Sequence, residues 1–155
     1  MTKEGKQLLL KDLCARLNCG VEVYAQYEPT GEWYNGRLVG IDLEDEPCFT
    51  VQFYKPVPYT NYCNKKEIKP YLRPMSSMTE EEKRELQSFY PGCFGNQWLD
   101  IKKGTIELFE CGSTITLYLN DSEKIVDWLN KKMFDYHGLI PMGLALEASE
   151  GMYEI

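Results

Sequence analysis

Val21-Glu22-Val23-Tyr24-Ala25-Gln26-Tyr27 heads the stretch 21–74, and its alternation of apolar with polar side chains is that of a half-buried strand. Glu28-Pro29-Thr30-Gly31-Glu32 then predicts a turn, because Pro presets φ at an early turn position and Gly tolerates the positive φ that sends the chain back antiparallel. Trp33 to Leu43 reads as a long second strand, and its internal Gly36 and Gly40 mark a bend or bulge of the kind that turns the corner of a small barrel. Acidic Glu44-Asp45-Glu46-Pro47 ends it. From Cys48 to Tyr54 the side chains of Phe49, Val51 and Phe53 fall on one face and those of Thr50, Gln52 and Tyr54 on the other, which predicts a third strand. Pro56 and Pro58 remove ladder donors and stop it. A short fourth strand is expected around Tyr62 and Cys63, leading into Lys66-Glu67-Ile68-Lys69-Pro70-Tyr71-Leu72-Arg73-Pro74, where the prolines force an exit.

Within that stretch, Ala25-Gln26-Tyr27, Gly31-Glu32-Trp33-Tyr34-Asn35-Gly36-Arg37-Leu38, Val51-Gln52-Phe53-Tyr54 and Ile68-Lys69-Pro70-Tyr71-Leu72-Arg73-Pro74 resemble the SH3-like barrels, and among them the Tudor class. The resemblance implies a box of aromatics that holds a methylated ammonium by cation–π attraction. The matching positions are Tyr27, Tyr34 and Phe53, with Tyr54 or Tyr59 as a fourth wall. Read from the residues alone, the same rings fill the barrel or pair across strands.

Outward from the sheet, Leu9, Leu10, Leu13, Cys14 and Leu17 recur on one helical stripe, so residues 3 to 17 predict a helix capped by Thr2 and stopped by Gly20. After Pro74, Thr79-Glu80-Glu81-Glu82 is a capping box for a helix running to about Phe89, and its glutamates suit the positive end of the helix dipole. Trp98 to Ile101 reads as a short strand. Thr105–Phe109 and Thr114–Leu119 alternate about a Cys111-Gly112 turn, which predicts a β-hairpin. Asn120-Asp121-Ser122-Glu123 caps a last helix whose apolar side is Ile125, Val126, Trp128, Leu129 and Met133, ending near Asp135. Leu139 to Leu146 is apolar enough to return to the core as a turn or strand, and Ser149 to Ile155 is expected to fray. The expected class is α+β: N-terminal helix, small SH3/Tudor-like antiparallel β-barrel, then helix, β-hairpin and C-terminal helix. Its two parts are 1–74 and 75–155, with a single shared core left open.

Leu8-Leu9-Leu10-Lys11-Asp12-Leu13-Cys14-Ala15-Arg16-Leu17, the run Ile68 to Thr79, Phe134-Asp135-Tyr136, Gly138-Leu139-Ile140 and Gly143 to Ala148 resemble blocks shared by uncharacterised small proteins of gut anaerobic bacteria and their phages. That resemblance implies a small, mobile-element-borne cytoplasmic protein and carries no activity.

A chain of 155 residues with 43% hydrophobic and 26% charged residues buries a core without staples. Its net charge of −7 argues against a general nucleic-acid binder, since phosphate contacts need concentrated Lys and Arg. Lys65, Lys66, Lys69 and Arg73 form the one local basic candidate. Met1 to Gln7 is too polar, and Leu8-Leu9-Leu10 too short, for a secretory signal, and no run reaches membrane-spanning length. The cytoplasm is therefore the expected location, with all 6 cysteines reduced. None forms a C-x-x-C pair and His137 is the sole histidine, so neither a metal nor another cofactor is expected. Nucleophile elbows, phosphate loops and H-E-x-x-H are missing, and His137 beside Tyr136 and Asp135 is the one catalytic candidate, read more simply as a helix-end residue. The expected function is a non-enzymatic module that binds a protein or peptide through aromatics among Tyr27, Trp33, Tyr34, Phe53, Tyr54 and Tyr59. Nucleic-acid contact through the basic group and acidic inhibition of a host protein are the alternatives.

Overall fold

The computed structural model describes residues 2–43, 47–55, 60–64, 68–89, 99–102, 105–110, 113–118 and 123–153. The chain is α+β and divides into two compact units, Met1–Leu72 with Leu139–Glu154, and Arg73–Gly138.

The first unit opens with helix α1 (Lys3–Arg16), whose Gly5 N–H donates to the Thr2 hydroxyl at 3.1 Å as the cap predicted. Its inward stripe is turned from the expected one. Gly5, Leu9, Asp12, Leu13 and Arg16 are buried, whereas Cys14 is exposed. Arg16 and Asp12 form a two-bond ion pair, Nε to Oδ2 at 2.8 Å and Nη2 to Oδ1 at 3.0 Å, with both side chains fully buried. Hydrogen bonding of this kind is what lets two charges leave water together.

Strands β1 (Glu22–Tyr27), β2 (Glu32–Asp42), β3 (Cys48–Phe53), β4 (Thr60–Asn64) and β5 (Ile68–Leu72) follow, and β9 (Leu146–Glu147) joins them from the far end of the chain. Their order in the sheet is β4-β3-β2-β1-β5-β9, antiparallel except for the parallel β5–β9 pair. Tyr27 and Gly31 close the first turn, the Gly31 N–H donating to the Tyr27 carbonyl at 2.8 Å. Ladder register slips between Leu38 and Gly40, which places the expected bulge at the second glycine. Gly36 has another reason to be glycine: a Cβ there would stand 2.7 Å from the Gln52 carbonyl oxygen and 2.8 Å from Val51 Cγ1. Val23, Ala25, Leu38, Val51, Phe53 and Ile68 line the buried face.

Curvature is strong. Strands spaced at 4.7–4.9 Å would hold β1 and β4 about 14 Å apart in a flat sheet, yet their Cα atoms approach within 8 Å. Closure nevertheless does not occur: among the described residues no ladder joins β4 to β5 or β9, so the sheet is open where a small barrel was expected. The edge of β5 that would have to meet β4 is already occupied, by Leu146 and Glu147 opposite Tyr71 and Leu72, and by the Ala148 N–H on the Leu72 carbonyl at 2.8 Å. Pro70 has no donor to offer there. The tail does not fray either. Tyr153 is half-buried, accepts from the Glu22 N–H at 3.0 Å and donates to the Tyr71 carbonyl at 2.8 Å.

In the second unit, helix α2 (Glu80–Ser88) carries the predicted capping box, Glu82 N–H to the Thr79 hydroxyl at 3.1 Å and Thr79 N–H to the Glu82 carboxylate at 2.9 Å. Strand β6 (Leu99–Lys102) adds a third member to the hairpin of β7 (Thr105–Glu110) and β8 (Ser113–Tyr118), and the expected Cys111-Gly112 turn lies outside the described residues. Helix α3 (Glu123–Lys131) stops four residues before the expected end. Met133 takes a left-handed φ of 59°, and the Phe134 N–H returns to the Leu129 carbonyl at 2.9 Å. The core here is Met78, Leu86, Ile125, Trp128, Leu129, Phe134 and Tyr136.

Cys48 is disulfide-bonded, against the expectation of reduced cysteines throughout, while Cys14 and Cys19 are not in disulfides. Thiol titration of the unfolded, unreduced chain should therefore find at least two fewer thiols than the 6 of the reduced chain, and equal counts would show Cys48 to be a thiol. Gly36→Ala should destabilise by roughly 1–3 kcal/mol in urea unfolding, because a backbone carbonyl cannot step aside as a side chain can; an unchanged midpoint would show that β2 and β3 do not meet as closely as described.

Candidate functional site

Alternation along β1 and β2 sorts the aromatics of this hairpin onto opposite faces of the sheet. Tyr24 and Trp33 share the outer face with Glu22, Gln26, Asn35 and Arg37, since Tyr24 stands opposite Asn35, Gln26 opposite Trp33 and Glu22 opposite Arg37. Tyr27 and Tyr34 share the inner face with Val23 and Ala25. All four rings are half-buried.

On the inner face the structure brings together three residues that the Tudor resemblance implies as walls. Tyr27 stands edge-on to Tyr34 at 6.3 Å between ring centroids and 76°, and edge-on to Phe53 at 5.3 Å and 72°. Phe53 is fully buried, so it forms the floor of this cluster and offers no ring face to a ligand. The Tyr34 hydroxyl donates to the Glu32 carboxylate, and that bond, with burial second, holds the phenol above its ordinary pKa.

On the outer face Tyr24 and Trp33 lie 5.2 Å apart at 32°. Beside them the Tyr71 hydroxyl donates to Asn35 Oδ1 at 2.9 Å. Burial, then the neighbouring Tyr24 phenol, push the Tyr71 pKa up. Glu22 gathers the rest: the Tyr54 hydroxyl lies 2.7 Å from each carboxylate oxygen, with Arg37 Nε at 3.1 Å and Nη2 at 3.0 Å from Oε1. Tyr54 is 40% exposed, yet desolvation and then the hydrogen bond to Glu22 push its phenol up to about 12.

The other sequence candidates are placed differently. Tyr59, Lys65 and Lys66 lie outside the described residues, and Lys69 is half-buried on β5 opposite Tyr24. Arg73 is committed within the second unit. Its Nη1 and Nη2 meet Glu82 Oε1 and Oε2 at 2.7 and 2.9 Å, and its guanidinium carbon stands 4.3 Å over the Phe134 ring. That ion pair lowers the Glu82 pKa despite partial burial. His137 packs against Tyr136 at 4.2 Å. Among the described residues no group of three or more His, Cys, Asp or Glu is placed to hold a metal, and no helix is long and apolar enough to cross a membrane.

Reading by residue missed Glu22, Tyr24, Asn35, Tyr71 and Tyr153. Period-two alternation alone puts Glu22 and Tyr24 on one face, but joining Tyr71 and Tyr153 to them needs a register set by segments distant in sequence. No family model matches this chain, nor does any curated protein or solved structure.

The fold favours the neutral Tyr54 phenol, so its contribution to stability is whole below the ordinary value of 10.0 and is lost as the pH rises through about 12. Chemical denaturation across that range should show a loss of stability that is smaller in Tyr54→Phe. An identical pH dependence in the variant would show that Glu22 does not hold the phenol.

Proposed function

We propose that this protein is a non-enzymatic interaction module that binds a protein or peptide segment through the aromatic hairpin of β1 and β2. The observation that carries this reading is the pair of ring contacts on opposite faces of one hairpin, Tyr24 with Trp33 and Tyr27 with Tyr34, all four rings held by neighbours but none sealed from solvent. Tyr and Trp at half-burial offer large, stiff contact area at low entropic cost, and these residue types dominate the energetics of protein interfaces.

The polar surroundings support the same reading. Arg37 is paired with Glu22, and the Tyr34 and Tyr71 hydroxyls are already bonded to Glu32 and Asn35. A partner covering the rings therefore meets satisfied groups and need not strip an isolated charge of water. The resemblance of Leu8–Leu17, Ile68–Thr79 and the 134–148 region to small proteins of gut bacteria and their phages supports a role among mobile-element-borne proteins. In that setting the partner is a host or phage protein.

Capture from extracts of the native host, comparing the natural chain with Trp33→Ala and with Tyr34→Ala, tests this. An anchor ring at an interface is worth roughly 1–3 kcal/mol, so each variant should weaken recovery of the same partner by on the order of tenfold or more. Unaltered recovery by variants that still melt cooperatively would place the binding surface elsewhere.

A further inference from the structure

Glu22 is where the C-terminal tail meets the outer face of the sheet. Its main-chain N–H is held by the Tyr153 hydroxyl, which passes the bond on to the Tyr71 carbonyl. Its carboxylate holds Tyr54 and Arg37. A single residue thus carries a tail bond on its backbone and two face contacts on its side chain.

The tail is shaped for this reach. Leu146 and Glu147 run parallel to Tyr71 and Leu72, and the Ala148 N–H anchors on the Leu72 carbonyl. Ser149, Glu150 and Gly151 are exposed. The Met152 N–H closes a turn on the Ser149 carbonyl at 3.1 Å, and Gly151, at φ 75° with open space where a Cβ would stand, brings the chain back. Tyr153 is then the far anchor of a segment whose middle touches little. Glu22 stands opposite the position next to Pro70 in the β1–β5 register, one step past the last pair, Val23 with Pro70. The hydroxyl therefore occupies the gap in which β1 and β5 would otherwise begin to part.

We propose that residues 148–153 form a strap that presets the outer face: seated, it fixes the first residue of β1 against β5, and thereby the carboxylate that aligns Tyr54 and Arg37. When the strap lifts, Glu22 loses its main-chain tether and the two side chains lose their common anchor. A short edge segment whose middle is exposed opens at a fraction of the global unfolding free energy, which lets seated and lifted forms exchange within the folded protein. Coupling of this kind is reciprocal, and whatever ties Tyr54 and Arg37 to Glu22 also seats the tail. That a partner uses Tyr54 and Arg37 rests on the binding role given above; the strap itself does not.

Tyr153→Phe removes the hydroxyl and keeps the ring, and two measurements on the isolated protein follow it. Amide exchange at Glu22 and Ala148 should accelerate several-fold while Val51 is unmoved, and the Tyr54 phenol, followed by tyrosine ring-carbon NMR, should titrate lower by about half a pH unit or more. In the converse variant, Tyr54→Phe, exchange at Ala148 should accelerate with Val51 again unmoved. General destabilisation would instead raise exchange across the sheet and leave Tyr54 where it was. An unshifted Tyr54 titration in folded Tyr153→Phe overturns the strap, and should that variant not fold, unchanged exchange at Ala148 in Tyr54→Phe overturns it. Neither readout involves a partner, so the strap and the binding role fail separately.

Discussion

Strand β1 has to satisfy hydrogen bonds along both of its edges, and the first unit is arranged to meet that requirement. One edge is met locally, by β2 through a tight turn, at little cost in loop entropy. The other is met by β5, which arrives after β3 and β4 and carries a proline opposite Val23. The pairing stops at Val23 and Pro70, and one step further the Glu22 N–H and the Tyr71 carbonyl are bridged by the Tyr153 hydroxyl instead of meeting directly. The apolar side chains of β1, Val23 and Ala25, sink into the core only because both edges hold.

The order of events along the chain explains what could be read from sequence. Strands β1 to β3, the turn at 28–31, the capping box at Thr79 and the β7–β8 hairpin are all written in patterns a few residues long, where alternation and turn chemistry act directly. That the barrel stays open was not legible, because the competitor for the edge of β5 is Leu146-Glu147, far along the chain and too short to show a strand pattern. Tyr153 sits in a polar, glycine-containing tail whose composition suggests fraying, and only tertiary structure reveals its two partners. The inner stripe of α1 was misread because Asp12 and Arg16 were sorted outward by polarity. Their spacing of four was the available signal, since an acid four residues before an arginine pairs well on a helix. Of the candidate site, the grouping of Tyr27, Tyr34 and Phe53 came from the Tudor resemblance rather than from local pattern; the outer group around Glu22 was not legible, as it depends on several strands and the tail.

Several charges among the described residues are spent on structure. Arg16 with Asp12, Arg37 with Glu22, Arg73 with Glu82 and Lys83 with Glu80 are ion pairs within their units. Two differ from the others in kind. The Asp12–Arg16 pair is fully buried, where a lone partner would be left as an uncompensated charge, so losing one member harms the fold more than replacing both with apolar residues of similar volume. Arg73 combines two hydrogen bonds to Glu82 with a ring face beneath, a geometry a lysine could not reproduce.

Among the described residues the two ring pairs of the β1–β2 hairpin are not equivalent. On the inner face Phe53 is fully buried beneath Tyr27, so among the described residues a cation seeking a box of ring faces finds Tyr27 and Tyr34 beside the Glu32 carboxylate. On the outer face Tyr24 and Trp33 lie within 32° of parallel, and an indole engaged on one side by a tyrosine still presents its other side. The outer pair is also the one whose neighbours, Asn35 and Arg37, are exposed on the same strand. Flat apolar groups with polar ends, such as the side chains and peptide planes of an extended segment, match that surface better than a compact cation does, which is why the binding role proposed above is for a peptide or protein partner and centres on Trp33.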